Sequence, residues 1–263
     1  MAFKTPKETL QAATSLGSAK ASLPWGKLLV LSFLAGAYIA LGGMLALVVG
    51  GAVPGLNATN PGVQKLLFGG VFPVGLMLVV IAGSELFTGN CAFLMPAVLS
   101  GKARWSGLAR NWVGSFVGNF VGSLFVAYCL VYMTSILANE PWLSSVRGVA
   151  EAKVSQGFLP LILKGIGCNW LVCLAVWLAV AAEDVAGKIL AIWWPIMAFV
   201  ALGFEHSVAN MFFVPLGIFH GAAVTWNQFL LVNLLPVTIG NIIGGAFFVG
   251  TIYWFVYGRE SAS

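Results

Sequence analysis

Two short polar sequences lie inside the most apolar parts of this chain, and they match each other. Gly83-Ser84-Glu85-Leu86-Phe87-Thr88-Gly89-Asn90 and Gly203-Phe204-Glu205-His206-Ser207-Val208-Ala209-Asn210 both read G-x-E-x-x-x-x-N, with their glutamates 120 positions apart (205 − 85). A carboxylate or a histidine inside an apolar span is costly, so its presence reads first as function. A repeated interruption at corresponding places in two halves points to a transport site where the halves meet.

The apolar segments run roughly over 28–53, 63–99, 107–136, 157–181, 188–219 and 228–257. About 20 residues suffice to cross a bilayer. The second and fifth segments are too long for one plain helix, and each carries its polar signature near the middle. Each is therefore expected to be two half-helices joined by a non-helical break, which is tolerated at depth only where protein buries it or a wet cavity borders it. With 60% hydrophobic and 8% charged residues and a mean hydropathy of +0.96, the chain is read as an all-α polytopic membrane protein forming one domain, 1–263. Soluble domains carry about 25% charge.

The match continues beyond the breaks. Asn111 to Gly122 and Asn233 to Gly244 both contain N-x6-G-N-x-x-G, 122 positions apart (233 − 111). The first and fourth spans match only weakly. Three spans per half is an odd number, so the second half must enter the membrane the opposite way. This predicts an inverted 3+3 repeat, with a first unit over 28–136 and a second over 157–257. The glycines of G-N-x-x-G would let helices approach closely.

The first 26 residues lack the long apolar core of a signal peptide. Thr5-Pro6-Lys7-Glu8 instead reads as a helix start, with Thr5 as N-cap, Pro6 at the first position and Glu8 closing a capping box. A short interfacial helix is expected from about Pro6 to Ala19. Lys4, Lys7, Lys20, Lys27, Lys102, Arg104, Arg110, Lys188 and Arg259 fall on one side, and Lys65, Arg147 and Lys153 on the other. Nine against three places both termini in the cytoplasm. Topology thus explains the net charge of +5, and no nucleic-acid partner is implied. The four cysteines (Cys91, Cys129, Cys168, Cys173) lie in apolar segments and read as small apolar filler, with neither disulfide nor metal spacing.

Four stretches carry a resemblance to a known family. Ile81 to Asn90 resembles the first signature of the formate/nitrite transporter family, Cys168-Asn169-Trp170-Leu171-Val172-Cys173-Leu174-Ala175-Val176-Trp177 that of its fourth span, Gly203 to Met211 its fifth and Pro236 to Gly245 its sixth. Phe72-Pro73-Val74-Gly75-Leu76-Met77 and the Met1-Ala2-Phe3-Lys4 start most resemble the formate-channel branch. The resemblance implies an aquaporin-like protomer of six transmembrane helices, a homopentamer in the cytoplasmic membrane, one pore per protomer and no cofactor. It implies small monovalent anions as substrates: formate, nitrite or hydrosulfide. Carried over, His206 would be the central pore histidine, Thr88 its partner or that of the anion, Asn169 a chamber-lining amide, and Lys153 the source of a positive outer field. Phe72 and Phe199 would form the outer constriction, and Leu76, Leu86 and Phe87 the inner one.

A bare anion between two apolar constrictions bears a heavy desolvation penalty, whereas the neutral acid does not. A weak-acid anion could take a proton, cross, and release it beyond. An unperturbed histidine titrates at about pH 6.5, so His206 is expected to couple protonation to passage, directly or through water, or else to stay neutral as a hydrogen-bond donor. Other readings compete residue by residue. Glu85, Glu205, Asn90 and Asn210 are expected chiefly to satisfy free backbone groups at the breaks. His220 is expected to be solvated in the outer loop, and Lys164 either faces the vestibule or snorkels. Water or glycerol channels share the inverted plan, but the paired Asn-Pro-Ala breaks are missing. An ammonium-type neutral channel usually pairs its pore histidines, and only His206 is deep here. No His/Asp/Glu set at ligand or catalytic spacing argues for an enzyme.

Overall fold

A computed structural model describes residues 3–258. Arg259, counted above among the inner cations, lies outside the described residues. The chain is helical: α1 (Pro6–Ala21), α2 (Trp25–Gly50), α3 (Pro54–Thr59), α4 (Pro61–Gly83), α5 (Phe87–Leu99), α6 (Trp105–Tyr132), α7 (Trp142–Val154), α8 (Phe158–Ala181), α9 (Val185–Ala201), α10 (Ser207–Phe219) and α11 (Gln228–Gly258). Five of these, α2, α4, α6, α8 and α11, are long and apolar enough to cross a membrane. The shorter apolar helices α5, α9 and α10 are the pieces flanking the two polar signatures.

Both interruptions fall where the sequence places them. Gly83 and Gly203 stand at φ 88° and 72°, a left-handed conformation that costs other L-residues about 1–2 kcal/mol. Each ends its helix, and the chain then runs extended to Leu86 (φ −89°, ψ 119°) and His206 (φ −111°, ψ 117°), the N-caps of α5 and α10. The pieces are unequal, however. With 23 residues, α4 is long enough to span by itself, whereas α9 has 17.

The glycines of the repeated motif make the expected close contacts. A Cβ on Gly122 would fall on the Phe33 carbonyl oxygen of α2, and one on Gly244 on the Ile166 carbonyl oxygen of α8. Close backbone approach supplies the packing that hydrophobic burial cannot provide between helices in lipid.

The predicted capping box opens α1: the Glu8 N–H donates to Thr5 Oγ1 at 3.3 Å, and the Thr5 N–H to Glu8 Oε2 at 2.8 Å. The helix does not simply lie on the membrane surface. Its Leu10, Ala13 and Gly17 are buried against α5, with Gly17 on the Phe93 carbonyl. His220 also differs from expectation: it is buried, with Nδ1 2.9 Å from the Leu216 carbonyl and its ring edge-on to Tyr132. It closes the last turn of α10, so the span's own backbone covers it.

Candidate functional site

A helix break leaves backbone N–H and C=O groups without partners, and inside a membrane protein each must find one. At the first break Asn119 supplies them. Its Nδ2 donates to the Glu85 carbonyl (3.0 Å) and the Ser32 carbonyl (2.7 Å), and its Oδ1 accepts from the Phe87 N–H (2.9 Å). At the second, Asn241 makes the same three bonds to the Glu205 carbonyl (2.9 Å), the Gly165 carbonyl (2.9 Å) and the Ser207 N–H (2.8 Å). The Glu85 N–H donates to the Leu31 carbonyl, and the Glu205 N–H to the Lys164 carbonyl.

The glutamate side chains act differently from expectation. They accept from side chains rather than from backbone N–H groups, because an asparagine can satisfy both a donor and an acceptor whereas a buried carboxylate needs a cation. Glu85 Oε1 lies 2.7 Å from Lys20 Nζ, and its Oε2 accepts from Asn90 (2.8 Å) and Asn111 (3.2 Å). Glu205 Oε2 lies 3.0 Å from Lys153 Nζ and accepts from Asn210 at 2.7 Å. Asn90 donates to Asn111 Oδ1 and Asn210 to Asn233 Oδ1, both at 2.8 Å. Asn111 in turn donates to the Lys20 carbonyl and Asn233 to the Lys153 carbonyl. The two sets correspond almost bond for bond. Lys20, which reads in the sequence as a loop charge, thus belongs to the site together with Asn119 and Asn241.

At the end of the second break lies His206. Its Nδ1 accepts from the Ala209 N–H at 3.1 Å, so in the neutral ring the proton sits on Nε2. Nε2 lies 3.0 Å from Thr88 Oγ1 and donates to it, leaving the threonine hydroxyl proton for another acceptor. This bond ties the second break to the first.

Apolar residues line two cavities near this pair, one bordered by His206 and the other by Gly89 beside Thr88. Phe72 and Phe199 meet edge to face at 5.8 Å, and Phe199 stacks on His206 at 5.8 Å. They border a cavity of about 160 Å³ that also contains Lys153 and Glu205. Leu76 and Leu86 border a second cavity of about 510 Å³ with Lys20, Glu85 and Phe93. Phe87 does not join them: its ring packs on Phe116 at 5.1 Å and Trp112 at 6.4 Å. Asn169 is buried beside the centre rather than turned into either cavity. Its Nδ2 clamps the Thr88 carbonyl (3.0 Å) to the Asn241 carbonyl (2.6 Å). Lys164 donates to Gln156 at 2.6 Å.

Apolar membrane helices around a polar centre approached by two cavities define a multi-pass membrane transport protein. The family model described as formate/nitrite transporter matches residues 7–255. The probable formate transporter of Methanothermobacter thermautotrophicus is 53% identical over 98% of both chains. A solved FNT family ion channel superposes with a TM-score of 0.86 at 38% identity, covering 95% of this chain and 98% of that one. A pentameric formate channel with formate bound superposes at 0.78, with 34% identity over 89% and 98%. The chain belongs to the formate/nitrite transporter family, whose members here are transporters and channels, not enzymes.

Proposed function

We propose that the chain is a channel for small monovalent weak-acid anions, formate foremost, with Thr88 and His206 at its centre. The observation that carries this reading is the 3.0 Å bond between them, with His206 bordering one lysine-bearing cavity and Gly89, next to Thr88, bordering the other. The corresponding bond sets support six spans in an inverted 3+3 repeat: α2, α4 with α5, α6, then α8, α9 with α10, α11. On this reading α1 belongs to the first unit as α7 does to the second, because each brings its last-turn lysine to a break glutamate. The loop charges support cytoplasmic termini in the cell membrane. The superposition on a pentameric formate channel supports a homopentamer.

Lys20 and Lys153 raise the anion concentration at the two mouths. The Phe72–Phe199 and Leu76–Leu86 constrictions exclude hydrated ions and favour the neutral acid. Protonating His206 at Nδ1 would remove the acceptor of the Ala209 N–H, so His206 stays neutral and holds Thr88 oriented toward the passing substrate. The substrate then takes its proton from water, and passage depends on pH through the substrate.

Flux into proteoliposomes tests this, with formate, nitrite, hydrosulfide and chloride compared at several pH values. Saturable formate flux that rises as pH falls is expected. His206→Phe should lower the flux while its residue keeps the wild-type pH profile, and a flattened profile would put the proton on His206 instead. Flux confined to nitrite or hydrosulfide would overturn formate as substrate. Water or ammonia passing without any anion would overturn the anion-channel reading.

A further inference from the structure

On the face that carries Lys20, the end of α1 and the α5–α6 loop enclose a groove of about 480 Å³. Lys102, Arg104 and Arg110 line it, and no acidic residue does. Arg110 is the fixed member. Its Nη2 donates to the Ala21 and Leu23 carbonyls, both at 2.8 Å, and its guanidinium lies 6.0 Å from the Trp25 ring. Its Nε is buried without a partner. Lys102 and Arg104 are exposed, and neither side chain has an ion pair among the described residues. Positive-inside topology accounts for basic residues on this face, but not for three converging on one concavity without a counter-charge.

Two features set the groove at the depth of lipid headgroups. Trp25 and Trp105 open the membrane helices α2 and α6 and are 50% and 60% exposed, as interfacial tryptophans are. From the groove, Ser106, Arg110, Val113, Val117 and Val121 follow one face of α6 at spacings of three and four. The three valines are 61%, 51% and 51% exposed. A free anion would use the cations and leave the valine track unused, whereas a phospholipid uses both. We infer that this groove binds the phosphate headgroup of an anionic phospholipid, with an acyl chain laid along the valine face of α6.

Native mass spectrometry of the purified protein, offered phosphatidylglycerol or phosphatidylcholine of identical chains, tests the inference. Phosphatidylglycerol should be retained preferentially, on the order of tenfold. Lys102→Gln and Arg104→Gln should each lose part of that preference and their combination nearly all, while Lys27→Gln, an exposed cation outside the groove, leaves it intact. Both replaced side chains are exposed, and the thermal midpoint in neutral detergent checks folding. Equal retention of the two lipids, undiminished preference in the double variant, or displacement of the lipid by equimolar inorganic phosphate would each overturn it.

Discussion

Replacing Lys153 by Met leaves Glu205 buried with Asn210 as its remaining side-chain donor. The two side chains are 15% and 5% exposed, so the stranded carboxylate cannot recover its hydration, and breaking such a pair costs about 3–5 kcal/mol. Glu205→Gln is milder, because Lys153 borders a cavity and the lost charge-assisted bond is worth about 1.5–3 kcal/mol. In the double variant Lys153→Met/Glu205→Gln no buried charge remains, so it should be more stable than Lys153→Met, which requires a coupling energy larger than the about 1.5–3 kcal/mol lost in Glu205→Gln alone. Denaturation of the four proteins in one detergent measures this. Flux should behave otherwise: formate uptake from the Lys153 side stays low in the double variant, since the positive field is gone. A double variant no more stable than Lys153→Met would refute the ion pair as scaffold. Restored uptake would refute the lysine as the source of the field.

Thr88→Val removes the hydroxyl that His206 orients while keeping its volume. Formate flux should fall by on the order of tenfold, corresponding to one hydrogen bond of about 1.4 kcal/mol, with the fold intact by gel filtration. Gly203→Ala should cost about 1–2 kcal/mol through its positive φ, read as a lowered unfolding midpoint. Gly62→Ala, which meets open space within a helix, should not lower it.

The breaks were legible because polar residues at fixed spacing contrast with an apolar background. The capping box and the G-N-x-x-G contacts were legible because each is local or repeats without insertion. Lys20 was not. It stands 65 residues before Glu85, whereas Lys153 stands 52 before Glu205. The first half carries extra chain between its equivalent helices, including α3, so the offset that links the glutamates does not link the lysines. Only the bonds reveal the pairing. The resemblance implies pore roles for Phe87 and Asn169, but no sequence pattern states which way a buried side chain turns. For Phe87, α6 offers Trp112 and Phe116. For Asn169, two carbonyls needed a donor.

What separates scaffold from chemistry is where the two halves stop matching. Leu86 and His206 stand 120 positions apart, share extended N-cap geometry, and are each followed by an N–H held by an asparagine. The backbone therefore treats them alike, and only the side chain differs. The same holds two residues on, where Thr88 faces Val208 in the alignment of the halves. The histidine comes from the second break and the hydroxyl from the first, so neither half alone holds the pair. Glu, Asn and Gly recur because each break needs them to exist. On the proposed reading, His206 and Thr88 occur once because a single passing substrate needs one oriented donor, and a second imidazole at Leu86 would put a polar group into the constriction proposed to favour the neutral acid.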